Sequence, residues 1–114
     1  MRRSRDPRPY LQDMLDSIER IRRYTEGMDP AAFHEDQVVQ DAVVRRIEVM
    51  GEAVSYLPDD LKARYSQIPW QDIKDMRNKL IHDYGHVDLD LVWAVVRKDI
   101  PALEPALRQI LDGV

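Results

Sequence analysis

Apolar residues recur at intervals of three and four through most of this 114-residue chain, and no stretch of strand length alternates between apolar and polar positions. Because an α-helix turns once every 3.6 residues, this spacing places apolar side chains along one face of each helix. The pattern therefore predicts an all-α fold, an up-and-down bundle of four to five helices. The first amphipathic helix, from about residue 7 to residue 26, carries Leu11, Met14, Leu15, Ile18 and Ile21 on its apolar face.

Glycine, proline and aspartate mark where the predicted helices begin and end. Gly27 ends the first helix, and Asp29-Pro30 is typical of an N-cap followed by proline at the first helical position. The remaining predictions are a long helix over about 36–57, a short one ending near 65, a helix over about 70–84 stopped by Gly85, and a last helix that begins at Asp88 and is kinked or broken by Pro101.

Length and composition indicate a single domain over residues 1–114, with a basic N-terminal arm over about residues 1–6. The net charge of −4 argues against non-specific coating of nucleic acid, which needs many phosphate contacts. Cysteine is absent, which excludes disulfides and thiolate metal sites. No apolar run has the length of a membrane span and the first ten residues lack the apolar segment of a signal peptide, so we expect a cytoplasmic protein.

The long second helix carries two apolar stripes about 120° apart. One stripe is enough to join a small bundle, so the second predicts a further apolar neighbour. That neighbour is either the rest of the bundle around a central helix or a second copy of the chain, and we favour the dimer. Gly51 in mid-helix predicts close approach of another backbone. The stripes are Val39, Val43, Ile47, Met50 and Val54, and Val38, Ala42, Val49, Ala53 and Tyr56.

Arg77 lies on the apolar side of the predicted helix over residues 70–84, within roughly 60° of Ile73 and Leu80. A buried guanidinium cannot lose its charge, so it requires an anion or several acceptors. Two interpretations follow. Arg77 forms a structural ion pair with a carboxylate such as Glu48 or Glu52, or it binds an anion at the mouth of a cleft.

If Arg77 binds an anion at a cleft, the nearby His82 indicates which reaction could take place there. Arginine favours phosphate among oxyanions, and histidine is suited to proton transfer near neutral pH. The pair suits metal-independent cleavage of RNA, in which the 2′-hydroxyl is the internal nucleophile. On an ideal helix Arg77 and His82 lie about 140° apart. They can share a pocket only if the helix frays before Gly85 or if two chains pool their residues.

The segment RNKLIHDY, residues 77–84, resembles the Arg–four residues–His–any–Tyr motif of HepT-like toxins in the HEPN superfamily. The likeness extends to DAVVRRIEVMGEAV, to IPW before the motif helix and to VDLDLVW after it, and covers roughly residues 8 to 107. It implies a helical bundle that dimerises, with a ribonuclease cleft at the dimer interface. It also implies an MntA-type antitoxin, a minimal nucleotidyltransferase that transfers AMP to the motif tyrosine.

By motif position, the resemblance makes Arg77 and His82 the catalytic pair, Asn78 the polar neighbour that orients them, and Tyr84 the AMPylated residue. From the helix pattern alone, Glu52 and Arg45 lie two turns apart on a polar strip, where they either support the cleft or face solvent.

The sequence leaves two alternatives to a ribonuclease toxin. His82, Asp83 and His86 suggest a metal site, but Gly85 interrupts the helical spacing and no third well-placed ligand is evident, so we predict no metal or cofactor. The other alternative is a non-catalytic helical adaptor that binds nucleotides or proteins, with Arg77 as a structural ion-pair partner. Trp70 and Trp93 are interpreted as core anchors.

Overall fold

The fold is an all-α bundle, as predicted, in a computed structural model that describes residues 6–82 and 86–114, apart from the side chain of His82. Two-residue strands pair next to the fifth helix, and a π-helical turn, Val95–Asp99, joins the last two helices. The helices are α1 Arg8–Tyr24, α2 Pro30–Glu35, α3 Gln37–Tyr56, α4 Asp59–Arg64, α5 Trp70–Leu80, α6 Leu89–Ala94 and α7 Ile100–Gly113, and the strands are β1 Ile81–His82 and β2 His86–Val87. Of the predicted basic arm, only residue 6 lies within the described residues.

Aspartate side chains cap three helices, and the sequence predicts two of these caps, Asp29 and Asp88. Asp29, Asp36 and Asp88 each accept a hydrogen bond from the backbone N–H three residues later, at 2.8, 3.1 and 3.1 Å. Each bond satisfies one of the amide groups that the first turn of a helix leaves unpaired. Pro30 follows Asp29 at the start of α2, as the sequence predicts.

The last helical stretch is irregular where a kink or break is predicted, in the form of a π-helical turn over Val95–Asp99. Pro101 has no N–H with which to continue the α-helical ladder, and it lies in the first turn of α7, where that donor is not needed. The helix therefore changes its hydrogen-bonding pattern just before the proline and then continues to Gly113.

The long helix α3 packs against α1 and also against α5, so it has neighbours from its own chain on two sides. A Cβ atom at Gly51 would lie 3.1 Å from the carbonyl oxygen of Lys74 and 3.4 Å from that of Ile73, both in α5. The predicted close approach at Gly51 is confirmed, and the approaching backbone is α5 of the same chain.

The residues of the second apolar stripe of α3 differ in exposure, so they do not form one continuous exposed surface. Ala53 is buried, with 4% of its surface exposed, whereas Val38 is 77% exposed. The ring of Tyr56 stacks on Tyr10 of α1 at a centroid distance of 5.2 Å. Part of the stripe therefore packs within the chain, and the part open to another molecule consists of Val38, the 46% exposed Tyr56 and the partly exposed Ala42 and Val49.

Helix α5 ends at Leu80, four residues before the predicted end, so the prediction of a helix through Tyr84 was wrong. Ile81 is extended, and the buried Leu80 accepts a backbone hydrogen bond from Asp88 at 2.8 Å. Strand β1 then pairs antiparallel with β2, with Ile81 opposite Val87. These non-local bonds replace the hydrogen bonds that a longer helix would form. Tyr84 lies outside the described residues.

We expect Gly51→Ala to destabilise the protein by about 1–2 kcal/mol, even though alanine in an exposed helix would gain about 1 kcal/mol over glycine. The reason is that the added methyl group meets the backbone of α5, which cannot yield without moving the helix. Urea unfolding followed by circular dichroism measures the change. Gly113→Ala is the matched control, because nothing lies within 4 Å of a Cβ there. A Gly51→Ala protein as stable as wild type would show that the two helices are not in close contact.

Candidate active site

A groove of about 210 Å³ runs along the line where α3 and α5 meet, and three of the predicted site residues line it: Arg77, Asn78 and Glu52. Residues from both helices carry opposite charges into it. Its lining consists of Ile47, Glu48, Gly51, Glu52, Ser55, Lys74, Arg77 and Asn78.

Arg77 is paired with Glu48 across this groove. The Nε of Arg77 donates a hydrogen bond to Oε2 of Glu48 at 3.0 Å. The arginine side chain is 49% exposed and the glutamate side chain 29% exposed. The prediction that Arg77 is buried was therefore wrong, while the carboxylate partner is one of the two that the ion-pair interpretation names.

The crossing of the two helices explains how Arg77 leaves the core. The helices are in close contact where Gly51 meets Lys74. Glu48 lies one turn before Gly51 and Arg77 one turn after Lys74, so the pair forms next to the crossing point. The long aliphatic stem of arginine carries the charged group out to the mouth of the groove, which avoids the large cost of burying it.

The early end of α5 changes the relation between Arg77 and His82. His82 belongs to β1 and follows the helix by two residues, so the offset of about 140° that an ideal helix imposes no longer applies. An interrupted helix is one of the two conditions under which the two side chains can share a pocket. Because the side chain of His82 lies outside the described structure, their contact remains a prediction.

The backbone of His82 is held by the two-stranded pairing, in which it lies opposite His86. The two histidines are therefore cross-strand partners and not residues on successive turns of a helix, which removes the spacing on which the metal alternative depends. His86 itself is exposed and lines a second groove, of about 240 Å³, with Gln37 and Asp41 of α3. Strand β2 therefore lies beside the first turns of α3.

The other predicted site residues separate into two groups. Asn78 and Glu52 line the groove beside Arg77. Arg45 is exposed and does not line it, because it precedes Glu52 by two helical turns, about 10 Å along α3. Lys74 and Ser55 line the groove although the sequence reasoning missed them. The available signal for Lys74 is its position one turn before Arg77 on the same helix.

The start of α5 is anchored by Trp70, which is buried as predicted. Its indole Nε1 donates to the carbonyl oxygens of Lys62 and Tyr65, both at 3.1 Å. Trp93 is partly buried and lies against Phe33, with ring centroids 5.3 Å apart. The first of these anchors fixes the entry to the helix that carries Arg77 and Asn78.

Comparison with known proteins identifies the family. The model of the family described as "Ribonuclease HepT-like" matches residues 14–110, a range that contains the groove and the motif. The chain belongs to the HepT-like family. The resemblance carried by RNKLIHDY and its flanking segments is thereby confirmed.

Several relatives of this family member have names that refer to ribonucleases. A protein of Methanocaldococcus jannaschii named "Gamma-glutamylcyclotransferase and putative RNase" is 43% identical over 95% of this chain, and the chain spans only 49% of that protein. A "Putative RNase" of Caldanaerobacter subterraneus subsp. tengcongensis is 39% identical over 93% of this chain and 95% of its own length. A "Probable ribonuclease HepT" of Thermococcus cleftensis is 39% identical over 88% of this chain and 91% of its own length. No solved structure matches significantly. Within the described residues, none of the helices combines the length and apolar character needed to cross a membrane.

We expect Arg77→Ala to lower the free energy of unfolding by less than about 1 kcal/mol, because exposed ion pairs contribute little to stability. Thermal unfolding and urea unfolding measure the change. Loss of about 3 kcal/mol or more, the cost of stranding a buried charge, would show that the pair is structural.

Proposed function

We propose that this chain is a metal-independent endoribonuclease, the toxin of a type VII toxin–antitoxin pair with an MntA-type nucleotidyltransferase. The observation that carries the proposal is the α3–α5 groove of a HepT-like family member, which presents a half-exposed arginine beside Asn78. The ribonuclease names of its relatives support the choice of RNA as the substrate.

The proposed reaction uses the RNA itself as the nucleophile. His82 removes the proton of the 2′-hydroxyl, and the 2′-oxygen forms a bond to the adjacent phosphorus. The bond from that phosphorus to the 5′-oxygen breaks, the leaving oxygen takes up a proton from water, and His82 afterwards returns its proton to the solvent. The products are a 2′,3′-cyclic phosphate and a 5′-hydroxyl. Proton transfer of this kind typically contributes about 10²- to 10⁴-fold to the rate.

Arg77 stabilises the negative charge that builds on the phosphoryl oxygens in the transition state. Of its nitrogens, Nε is engaged by Glu48, while the Nη groups have no acceptor among the residues that the structure describes. Asn78 is exposed in the same groove, where it can orient the scissile nucleotide. Glu52 supports the groove from α3, and the more distant Arg45 is available to a flanking phosphate.

A homodimer forms the complete cleft in this proposal. The resemblance implies a cleft at the dimer interface, and we propose that Arg77 of one copy and His82 of the other act there on the same phosphate. The exposed Val38 and the partly exposed Val49 supply an apolar surface on α3 for the second copy. Two-fold dimers are the commonest small oligomers, and in them the same surface of each subunit meets its equivalent.

The adaptor alternative requires the Arg77–Glu48 pair to serve the fold. The described geometry favours the nuclease, because both side chains are partly open to solvent and the arginine Nη groups have no acceptor within residues 6–81 and 86–114. In the adaptor, the wild-type chain would not cut RNA, and loss of Arg77 would strongly destabilise it.

We expect the purified chain to cut single-stranded RNA equally well with and without EDTA and to leave 2′,3′-cyclic phosphate ends. His82→Ala should lower the rate by about 10²- to 10⁴-fold while the protein stays folded. Labelled RNA resolved on gels and mass spectrometry of the fragment ends measure both effects. Cleavage that EDTA abolishes would contradict the proposed chemistry, and wild-type rates in His82→Ala would remove His82 from the site.

Mixing the inactive Arg77→Ala and His82→Ala proteins tests whether each active site takes residues from both copies of the dimer. A heterodimer of the two has one intact site if each site takes its arginine from one copy and its histidine from the other. Activity should then return to at most about a quarter of the wild-type value for random pairing of the copies. If none returns, both residues of each site come from a single chain.

We expect Tyr84 to be the position at which the antitoxin silences the toxin. An added AMP carries a phosphodiester anion and a nucleoside, and in this proposal they compete with RNA for Arg77 by charge pairing and by filling space. Co-expression with the cognate nucleotidyltransferase should add about 329 Da per AMP to the intact mass and stop cleavage. The Tyr84→Phe protein should lack the added mass and remain active. A Tyr84→Phe protein that is still modified and silenced would refute the assignment.

A further inference from the structure

We propose that Glu48 is a positioning residue for Arg77. It holds the guanidinium by Nε and leaves both Nη groups to bind the phosphate of the RNA. This inference rests on the proposed ribonuclease function and adds to it a residue outside the Arg–His motif.

The contact uses one donor of the guanidinium and spares the others. Arginine has five N–H donors in a planar fork, one on Nε and two on each Nη. Oε2 of Glu48 accepts from Nε at 3.0 Å, and this is the hydrogen bond that the structure gives to Arg77 within the described residues. The edge formed by the two Nη groups matches a phosphate in width and direction, and no acceptor in the described part of the chain occupies it.

Glu48 extends from a part of α3 whose distance from α5 is fixed by the packing of the two helices. It lies in the middle of α3, with 29% of its side chain exposed, one turn from Gly51. Because the backbone of α5 lies against Gly51, the distance between the two helices is fixed at that point. The carboxylate and the guanidinium therefore extend from two rigid supports, and their hydrogen bond restricts the rotation of a side chain that otherwise has many rotamers.

The contact geometry indicates that Glu48 orients Arg77 and does not block the binding of RNA. A carboxylate that kept RNA out would occupy the Nη fork by a bidentate contact, the arrangement that a phosphate would adopt. Glu48 instead binds at Nε. Glu52, one turn further along α3 in the same groove, has no hydrogen bond to Arg77 among the described residues. The two carboxylates are thus not interchangeable.

The kinetic test compares Glu48→Ala with Glu48→Gln. Misdirecting one transition-state donor should lower kcat of Glu48→Ala about ten- to a hundredfold, with KM changed less than about threefold. Glu48→Gln should retain kcat within about threefold of wild type, because its amide oxygen still accepts from Nε. Asp72→Ala is the matched control. It removes a carboxylate paired with Lys79 at the same 3.0 Å, outside this groove, and should leave kcat unchanged. Glu48→Ala activity equal to or above wild type would overturn the proposal.

A second measurement does not depend on cleavage. In ¹⁵N NMR spectra, the Nε–H resonance of Arg77 should be protected from solvent exchange in wild type and Glu48→Gln, and unprotected in Glu48→Ala. A 2′-O-methyl RNA oligonucleotide, which cannot be cut, should shift that resonance in the first two proteins but not in the third. If wild type cuts no RNA but this pattern holds, the nuclease assignment fails and the role of Glu48 in anion binding stands. If the pattern is absent, the role of Glu48 is refuted whether or not the protein cuts RNA.

Discussion

The close crossing of α3 and α5 is the contact on which the candidate site depends. Gly51 lets the two backbones meet, with a would-be Cβ only 3.1 Å from a carbonyl oxygen of α5. This contact fixes the direction of the motif helix relative to the central helix of the bundle. The groove runs along this crossing, and Arg77 and Glu48 meet in it one turn from Gly51 and Lys74. A larger side chain at Gly51 would separate the supports from which both residues extend.

The short hairpin after α5 is the second constraint on the site. It ends the helix at Leu80, and the backbone bond from Asp88 to Leu80 holds the returning chain in place. His82 is thereby released from helical geometry while its backbone remains paired with His86. A motif whose two polar residues would point apart on a continuous helix is thus carried by a helix and a strand, which is a geometry in which they can converge.

The ion pair of Arg77 shows how stability and function differ at one contact. A pair this exposed adds little to the free energy of unfolding, because water screens its charges and both side chains lose freedom. The same hydrogen bond can still decide in which direction the remaining donors of the guanidinium lie. A residue of minor importance to the fold can therefore have a large effect on a reaction whose transition state requires a directed donor.

The sequence by itself determined the all-α class, the caps at Asp29 and Asp88, the close approach at Gly51, the burial of Trp70 and the family motif, because helix periodicity, N-caps and mid-helix glycines act through neighbours along the chain. Only the tertiary structure decided the exposure of Arg77, its choice of Glu48, the burial of Ala53 and the end of α5 at Leu80. These depend on how far two helices diverge from their crossing point and on backbone bonds from residues 87 and 88, and helix periodicity contains no information about either.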